Sequence, residues 1–236
     1  MVRAVIFDFY GTLVTEREGE INFDLGILQR YGYDPDALER LRWIDPITSL
    51  DHAEFSDSRS AYVDWQRRQW LEHLRRAGVA AEHLDLLADQ AAARSGAREL
   101  DVFPDTIDAL SALRRAGILT AVCSNWGWDL AEAIAACGLS QLIDVQVTSA
   151  QAGYRKPHRR IFEVALERLA APAHQVVFVG DTWSADVEGA RAAGMRALHV
   201  VRPGMAASGT VSPVPDGVLR IDGLEELVSL VTAPAG

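Results

Sequence analysis

Four short stretches of this chain hold residue types whose order could do chemistry. In the first, the apolar run Ala4-Val5-Ile6-Phe7 ends in a carboxylate, Asp8, and Gly11 and Thr12 follow. The second is Ser124-Asn125, directly after the apolar run that ends in Cys123. The third is Lys156-Pro157, and the fourth is Gly180-Asp181, with a further acid five residues on at Asp186. A buried strand excludes charge, so Asp8 and Asp181 belong at strand ends, facing a crevice. In open α/β sheets that is where ligands bind. Gly11 permits a sharp turn that leaves backbone amides free for an anion. A hydroxyl and an amide at a strand end, as in Ser124 and Asn125, can hold an anionic oxygen. A lysine just before a helix, as Lys156 is, can neutralise a nucleophilic carboxylate and a substrate anion together. Two acids on one loop beside a third suit a hard divalent ion such as Mg²⁺, which takes a few carboxylates plus water and substrate oxygens. Taken singly, Asp8 also fits a turn cap, Ser124-Asn125 a helix N-cap, and Lys156 a solvated charge.

The elements that must position these residues follow from hydrophobic spacing. From Phe103 onward, helices over Pro104–Arg115, Trp128–Cys137, His158–Leu169 and Ala185–Ala193 alternate with strands over Ile118–Cys123, Val145–Thr148, Val176–Val179 and Arg196–Val201. Val218–Ile221 and Leu224–Val231 add a last strand and helix beyond a Pro/Gly/Ser-rich loop at 203–217. Strands alternating with helices of this length imply parallel βαβ units with right-handed crossovers. Residues 16–99 break the rhythm, with helical patterns at Ile21–Tyr31, Asp36–Trp43, 57–77 and Ala81–Arg94. The expected architecture is a doubly wound, Rossmann-like parallel sheet made of residues 1–15 and 100–236, split after its first strand by a helical domain at 16–99. An insertion at that point emerges beside Asp8 and can act as a lid.

Composition narrows the partners. The 236 residues are 49% hydrophobic and 24% charged, as in ordinary globular proteins, with a net charge of −10 and no long basic run. Nucleic acid and anionic membrane surfaces are therefore poor partners. No apolar run approaches the ~18 residues of a membrane span, and no cleavable leader is evident. The two cysteines, Cys123 and Cys137, lack any metal-ligand spacing; they read as reduced thiols of a cytoplasmic protein. A small-molecule substrate is expected, with a monomer or homodimer equally open.

Taken together, Asp8-x-x-Gly11-Thr12, Ser124-Asn125, Lys156-Pro157 and Gly180-Asp181-x-x-x-x-Asp186 resemble the haloacid dehalogenase-like (HAD) hydrolase superfamily over nearly the whole chain, its inserted helical cap included. The resemblance implies that Asp8 is a nucleophile forming a covalent aspartyl intermediate. It implies that Thr12 and Ser124 hold the transferred group and that Lys156 stabilises the charge. Mg²⁺ would be bound by Asp8, Asp181 and the backbone carbonyl of Tyr10, and Asp186 would orient Lys156 or stand behind the metal.

One residue departs from the phosphatase pattern. Family phosphatases carry a second Asp two residues after the nucleophile, to protonate the leaving oxygen and later activate water; here that position is Tyr10. A phenol with a reference pKa near ~10 is no general base at neutral pH. Loss of such a group typically costs about 10²–10⁴ in rate. Asp-x-Tyr-Gly-Thr is similar instead to the first motif of L-2-haloacid dehalogenases, whose halide leaves without a proton and which work without metal. The fourth motif looks like the metal-dependent phosphohydrolases, and it weighs more: converging carboxylates without a cation repel one another. The reading is a Mg²⁺-dependent phosphatase with impaired acid–base chemistry. A haloacid dehalogenase and a HAD-fold binding protein are the alternatives. Trp126, Trp128 and Trp183 follow the second and fourth motifs and suggest an aromatic-lined mouth; Arg42 and Trp43 are candidates in the insertion.

Overall fold

A computed structural model describes residues 1–17, 31–33, 49–94, 99–202 and 217–232, with the backbone alone at 91–94. Six parallel strands make the main sheet: β1 (Ala4–Phe7), β4 (Leu119–Ser124), β5 (Val145–Thr148), β6 (Val176–Gly180), β7 (Arg196–Val200) and β8 (Leu219–Ile221). Their spatial order is β5-β4-β1-β6-β7-β8. The chain thus starts in the middle, winds one way through β4 and β5, and returns to wind the other way. The reversal falls between β1 and β6, whose registers pair Phe7 with Val179. That is the topological switch point at which such sheets open a crevice.

The strand sequences explain why both faces are covered. Side chains alternate along a strand. Val5 and Phe7 of β1 join Val122, Val177, Val179 and Leu198 on one face. There they meet α3 (Thr106–Arg115), α4 (Leu130–Ala136) and α6 (Leu224–Thr232) through Leu110, Ile134 and Leu227. Ala4 and Ile6 join Ala121, Cys123 and Phe178 on the other face, against Phe162 and Ala165 of α5 (Arg159–Leu169) and Ala190. All four residues of β1 are fully buried. Truncating Phe7 to alanine at such a position typically costs about 3–5 kcal/mol.

Where the sheet pattern pauses, the chain leaves and returns as a ribbon. β2 (Val14–Glu16) pairs antiparallel with β3 (Leu100–Val102), Glu16 standing opposite Leu100. Neither strand was expected from sequence, because three-residue strands have no period to read. Beyond the ribbon the described residues form two helices, α1 (Arg59–Arg76), capped by the Ser58 hydroxyl, and α2 (Ala81–Arg94). Leu74, Val79, Leu84, Leu87 and Ala88 make a small core between them. Tyr62, Trp65, Gln66 and Leu74 of α1 are buried, whereas Ala61 and Leu71 are half-buried. The helical patterns expected at Ile21–Tyr31 and Asp36–Trp43 lie largely or wholly outside the described residues.

The segment leading into α1 is stitched to the loop that ends in Lys156. The His52 amide donates to the Gly153 carbonyl at 2.8 Å, and the Arg155 amide donates to the Leu50 carbonyl at 2.9 Å. Gly153 has φ +80°, and a Cβ there would stand 2.6 Å from Ala53 Cα, so the close approach requires glycine. Tyr62 and Trp65 of α1 pack on Ala150, just upstream.

Candidate active site

Asp8 follows β1 directly, and its amide still donates to the Val179 carbonyl at 2.9 Å. The chain then turns back at once. Gly11 sits at φ +78°, and a Cβ on it would fall 2.6 Å from Asp181 Cγ, so both backbone and space demand glycine. The Leu13 and Val14 amides donate to the Phe9 carbonyl at 2.9 and 3.1 Å and close the turn. Thr12 is fully buried within it, its hydroxyl without a partner.

Lys156 reaches this turn from the loop before α5. Its ammonium lies 2.8 Å from Asp8 Oδ1 and 2.6 Å from Asp186 Oδ1. Burial works to discharge the lysine, but Asp186 and Asp8 outweigh it and raise the pKa above the usual lysine value, so the side chain is a cation. Asn125 fastens it. The Lys156 amide donates to Asn125 Oδ1 at 2.7 Å, and Asn125 Nδ2 donates to the Lys156 carbonyl at 3.1 Å. Sequence reading aimed this amide at an anion; the structure engages it with the lysine's own peptide. The helix expected over His158–Leu169 begins one residue later, at Arg159, with His158 as its N-cap.

The two acids of the fourth stretch occupy different settings. Asp186 is completely buried on a π-helical segment, Trp183–Glu188, where an α-helix from Ala185 was expected. Such segments concentrate at functional sites. One Asp186 oxygen takes the lysine and the other accepts the Thr182 amide at 2.9 Å. Gly180 makes room for it, since a Cβ there would lie 2.3 Å from Asp186 Cγ. Burial, with Asp8's charge, lifts the Asp186 pKa to about 6 against the pull of Lys156. Asp181 stands at the end of β6 with Oδ1 buried and unpartnered. Burial first, then the charges of Asp8 and Asp186, push its pKa up to about 8. Its carbonyl accepts from His199 Nε2 at 2.9 Å. Sequence reading missed His199; only the β6–β7 register, which sets Gly180 beside His199, could have found it.

Oxygen atoms of Asp8, Asp181 and Asp186 all lie within 4.8 Å of one another. Two of them, Asp8 and Asp186, share the Lys156 ammonium, and Asp181 stands beside them. Asp186 is fully engaged, but Asp181 keeps a buried, unpartnered oxygen beside Asp8. That donor set fits a hard divalent cation such as Mg²⁺.

The remaining candidates separate. Ser124 ends β4, buried, in line with its expected place. Tyr10 is half-buried and packs against the Phe7–Phe9 core. Trp126 and Trp183 do not line an open mouth. Trp126 is buried with its ring edge-on to Phe9 at 5.3 Å, and Trp183 packs in the opposite core with its indole N–H donating to Glu188 at 3.0 Å. Indole carries more apolar surface than any other side chain, and here it is spent on packing. Arg42 and Trp43 lie outside the described residues. Cys123 is buried against the sheet with its thiol pushed up to about 12 by burial, which leaves it inert. Among the described residues no helix is long and apolar enough to cross a membrane.

Comparison with known proteins agrees with this geometry. A phosphoserine phosphatase of Thermus thermophilus is 32% identical over 139 residues, 58% of this chain and 55% of that protein. An (S)-2-haloacid dehalogenase of Pseudomonas sp. is 27% identical over 209 residues, 85% of each. The chain spans about half the length of the phosphatase and of other curated relatives it matches. A crystal structure of a HAD phosphatase from Thermococcus onnurineus superposes with a TM-score of 0.63 at 25% identity over 98% of both chains. The family model for haloacid dehalogenase-like hydrolases matches residues 2–194, a span that holds Asp8, Ser124, Lys156, Asp181 and Asp186. A strand-end aspartate paired with a buried lysine at the switch point of a doubly wound sheet, inside a match of that extent, means that the chain belongs to the haloacid dehalogenase-like hydrolases.

Proposed function

We propose that this protein is a Mg²⁺-dependent phosphohydrolase acting on a small phosphorylated metabolite, with Asp8 as nucleophile. The observation behind this reading is Asp181: an acid with a buried, unpartnered oxygen beside Asp8, in a group of three carboxylates that one lysine leaves unbalanced. A haloacid has no use for that surplus, whereas a phosphoryl group and its cation do. Asp8 and Asp181, with the Tyr10 carbonyl, would hold Mg²⁺, which when bound would neutralise phosphoryl oxygens.

The chain's own residues do the rest. An Asp8 oxygen attacks phosphorus, the bond to the leaving oxygen breaks, and an aspartyl phosphate forms. Lys156 holds the charge of Asp8 and of the incoming phosphoryl group, and Asp186 keeps the ammonium in place. The Thr12 and Ser124 hydroxyls grip phosphoryl oxygens. Water then attacks the acyl phosphate, returning Asp8 and releasing phosphate. Tyr10 supplies no carboxylate to protonate the leaving group, so aryl and acyl phosphates, whose leaving groups need little proton, should turn over faster than alkyl phosphates. Residues 16–99 act as a cap over this site; the stitch from Leu50–His52 to Gly153–Arg155 ties them to the lysine loop.

Phosphate release from p-nitrophenyl phosphate, measured with Mg²⁺ and with EDTA, tests the reading. Turnover that needs Mg²⁺ and is lost in Asp181→Asn supports it. Turnover indifferent to both would falsify it. Tyr10 specifically favours a second reading, a 2-haloacid dehalogenase. Chloride released from L-2-chloropropionate, by a protein that releases no phosphate, would establish that one instead.

A further inference from the structure

Arg202 lies just past β7 and is buried, 5% exposed. Sequence gives no reason for this, since the residue stands alone before a Pro/Gly/Ser-rich stretch. Its partners explain it. The Nε and Nη2 groups donate to the Thr12 carbonyl at 3.2 and 2.6 Å. Nη1 lies 2.6 Å from Asp105 Oδ2, and the guanidinium stacks 4.3 Å from the centre of the Phe103 ring. The same Asp105 oxygen accepts the Leu224 amide at 2.7 Å. The next carbonyl of the turn, Leu13, is also held, by the Thr106 hydroxyl at 2.9 Å and the Phe103 amide at 3.1 Å.

Two successive carbonyls behind the Asp8 turn are therefore pinned by groups from two separate parts of the chain, Arg202 and the Phe103–Thr106 segment. An arginine is suited to this. Its planar fork gives two parallel donors to one oxygen and a third to a carboxylate, always charged, in a fixed geometry. Lysine can satisfy one of those partners and not both. A pinned carbonyl fixes the peptide plane it belongs to. That plane, shared by Thr12 and Leu13, fixes the Thr12 Cα and so where its hydroxyl stands relative to Asp8.

We propose that Arg202 is a positioning residue for the reaction at Asp8: clamped to Asp105, it fixes the Thr12 peptide and so the turn that presents the phosphoryl-binding hydroxyl. This rests on the reading of Asp8 and Thr12 given above, and it makes the C-terminal part of the sheet a supporting part of the site.

The test uses Arg202→Lys and the double variant Arg202→Met/Asp105→Asn. The double variant leaves no unpaired buried charge, and its asparagine can still accept the Leu224 amide, so it should fold. With p-nitrophenyl phosphate and Mg²⁺, the double variant is expected to lose about tenfold to a hundredfold in kcat with KM within about twofold. Arg202→Lys should fall between it and the wild type. Hydrogen exchange gives an independent readout. The Leu13 and Val14 amides, bonded to Phe9, should exchange at least about tenfold faster in the double variant, and those of Val177–Val179 should not change. A folded double variant with wild-type kcat, or with unaltered exchange at Leu13 and Val14, overturns the proposal. Should the wild type release no phosphate, the phosphatase reading fails on its own, and exchange alone decides the role of Arg202.

Discussion

Two clusters of buried charge touch the turn after Asp8, and they are built on opposite rules. In one, Arg202 meets a single carboxylate, Asp105, and its remaining donors go to the Thr12 carbonyl. In the other, Lys156 faces Asp8 and Asp186 with Asp181 close by, three acids to one base. A balanced, hydrogen-bonded pair holds backbone in place. An unbalanced group is unfavourable by itself and becomes favourable when a cation or a developing charge completes it. On the proposed reading, the first cluster is a clamp and the second a reaction centre.

Removing one charge from each cluster should therefore have opposite signatures. The largest effect is expected from Asp8→Asn, which should cut turnover by about 10⁴-fold or more while leaving thermal stability equal or higher. A stopped assay on p-nitrophenyl phosphate and a melting curve measure the two. Next is Arg202→Met alone. It strands Asp105 without its partner and should destabilise the fold by about 3–5 kcal/mol, read from urea unfolding. A loss below about 1 kcal/mol would mean that the balanced pair is no clamp, since surface pairs are worth that much.

The smallest effect is a pH dependence carried by Asp181. Its folded pKa, about 8, lies above its unfolded value near 3.8. Its contribution to stability is therefore fully present below pH 3.8 and is lost as pH rises through 8. Asp186 shifts in the same direction and is common to both proteins compared. Metal-free Asp181→Asn should then melt a few degrees, roughly 2–4 °C, above the wild type at pH 8.5. The gap should close toward pH 5, where Asp181 is already neutral in the wild type. Mg²⁺ should raise the wild-type melting temperature more at pH 8.5 than at pH 6, and should not move Asp181→Asn. A gap that stays the same between pH 5 and pH 8.5 would show that Asp181 titrates alike in the folded and unfolded protein and is an ordinary surface acid.

Much of this arrangement can be read in the sequence because it rests on local patterns. Ala4–Phe7 and Val176–Val179 are unbroken apolar runs ending in an acid, and that alone puts Asp8 and Asp181 at one sheet edge. Lys156 and Asp186 are placed only by the resemblance that the four stretches make together, since Lys156 alone reads as a solvated charge. Other features depend on partners far away in the chain. Arg202 and Thr12 are 190 residues apart, and nothing near Arg202 marks it for burial. The β2–β3 ribbon pairs residues on either side of the insertion. Trp126 and Trp183 mislead for a different reason. Position in sequence says that they follow the active motifs, but only packing decides which way an indole turns, and both turn inward. Asn125 misleads similarly, as its partner is the Lys156 peptide.

The ribbon of Val14–Glu16 and Leu100–Val102 has a consequence for how such a chain can diversify. Because Glu16 and Leu100 stand opposite each other, the sheet meets everything between them as the closed end of a hairpin. Each doubling of the length enclosed adds only about 0.6 kcal/mol of closure entropy. The residues named in the two charge clusters all lie outside that excursion. Apart from the Leu50–His52 stitch and the packing of Tyr62 and Trp65 on Ala150, the excursion can thus be lengthened or shortened with little change in the free energy of the sheet, while Asp8 and its supports stay as they are.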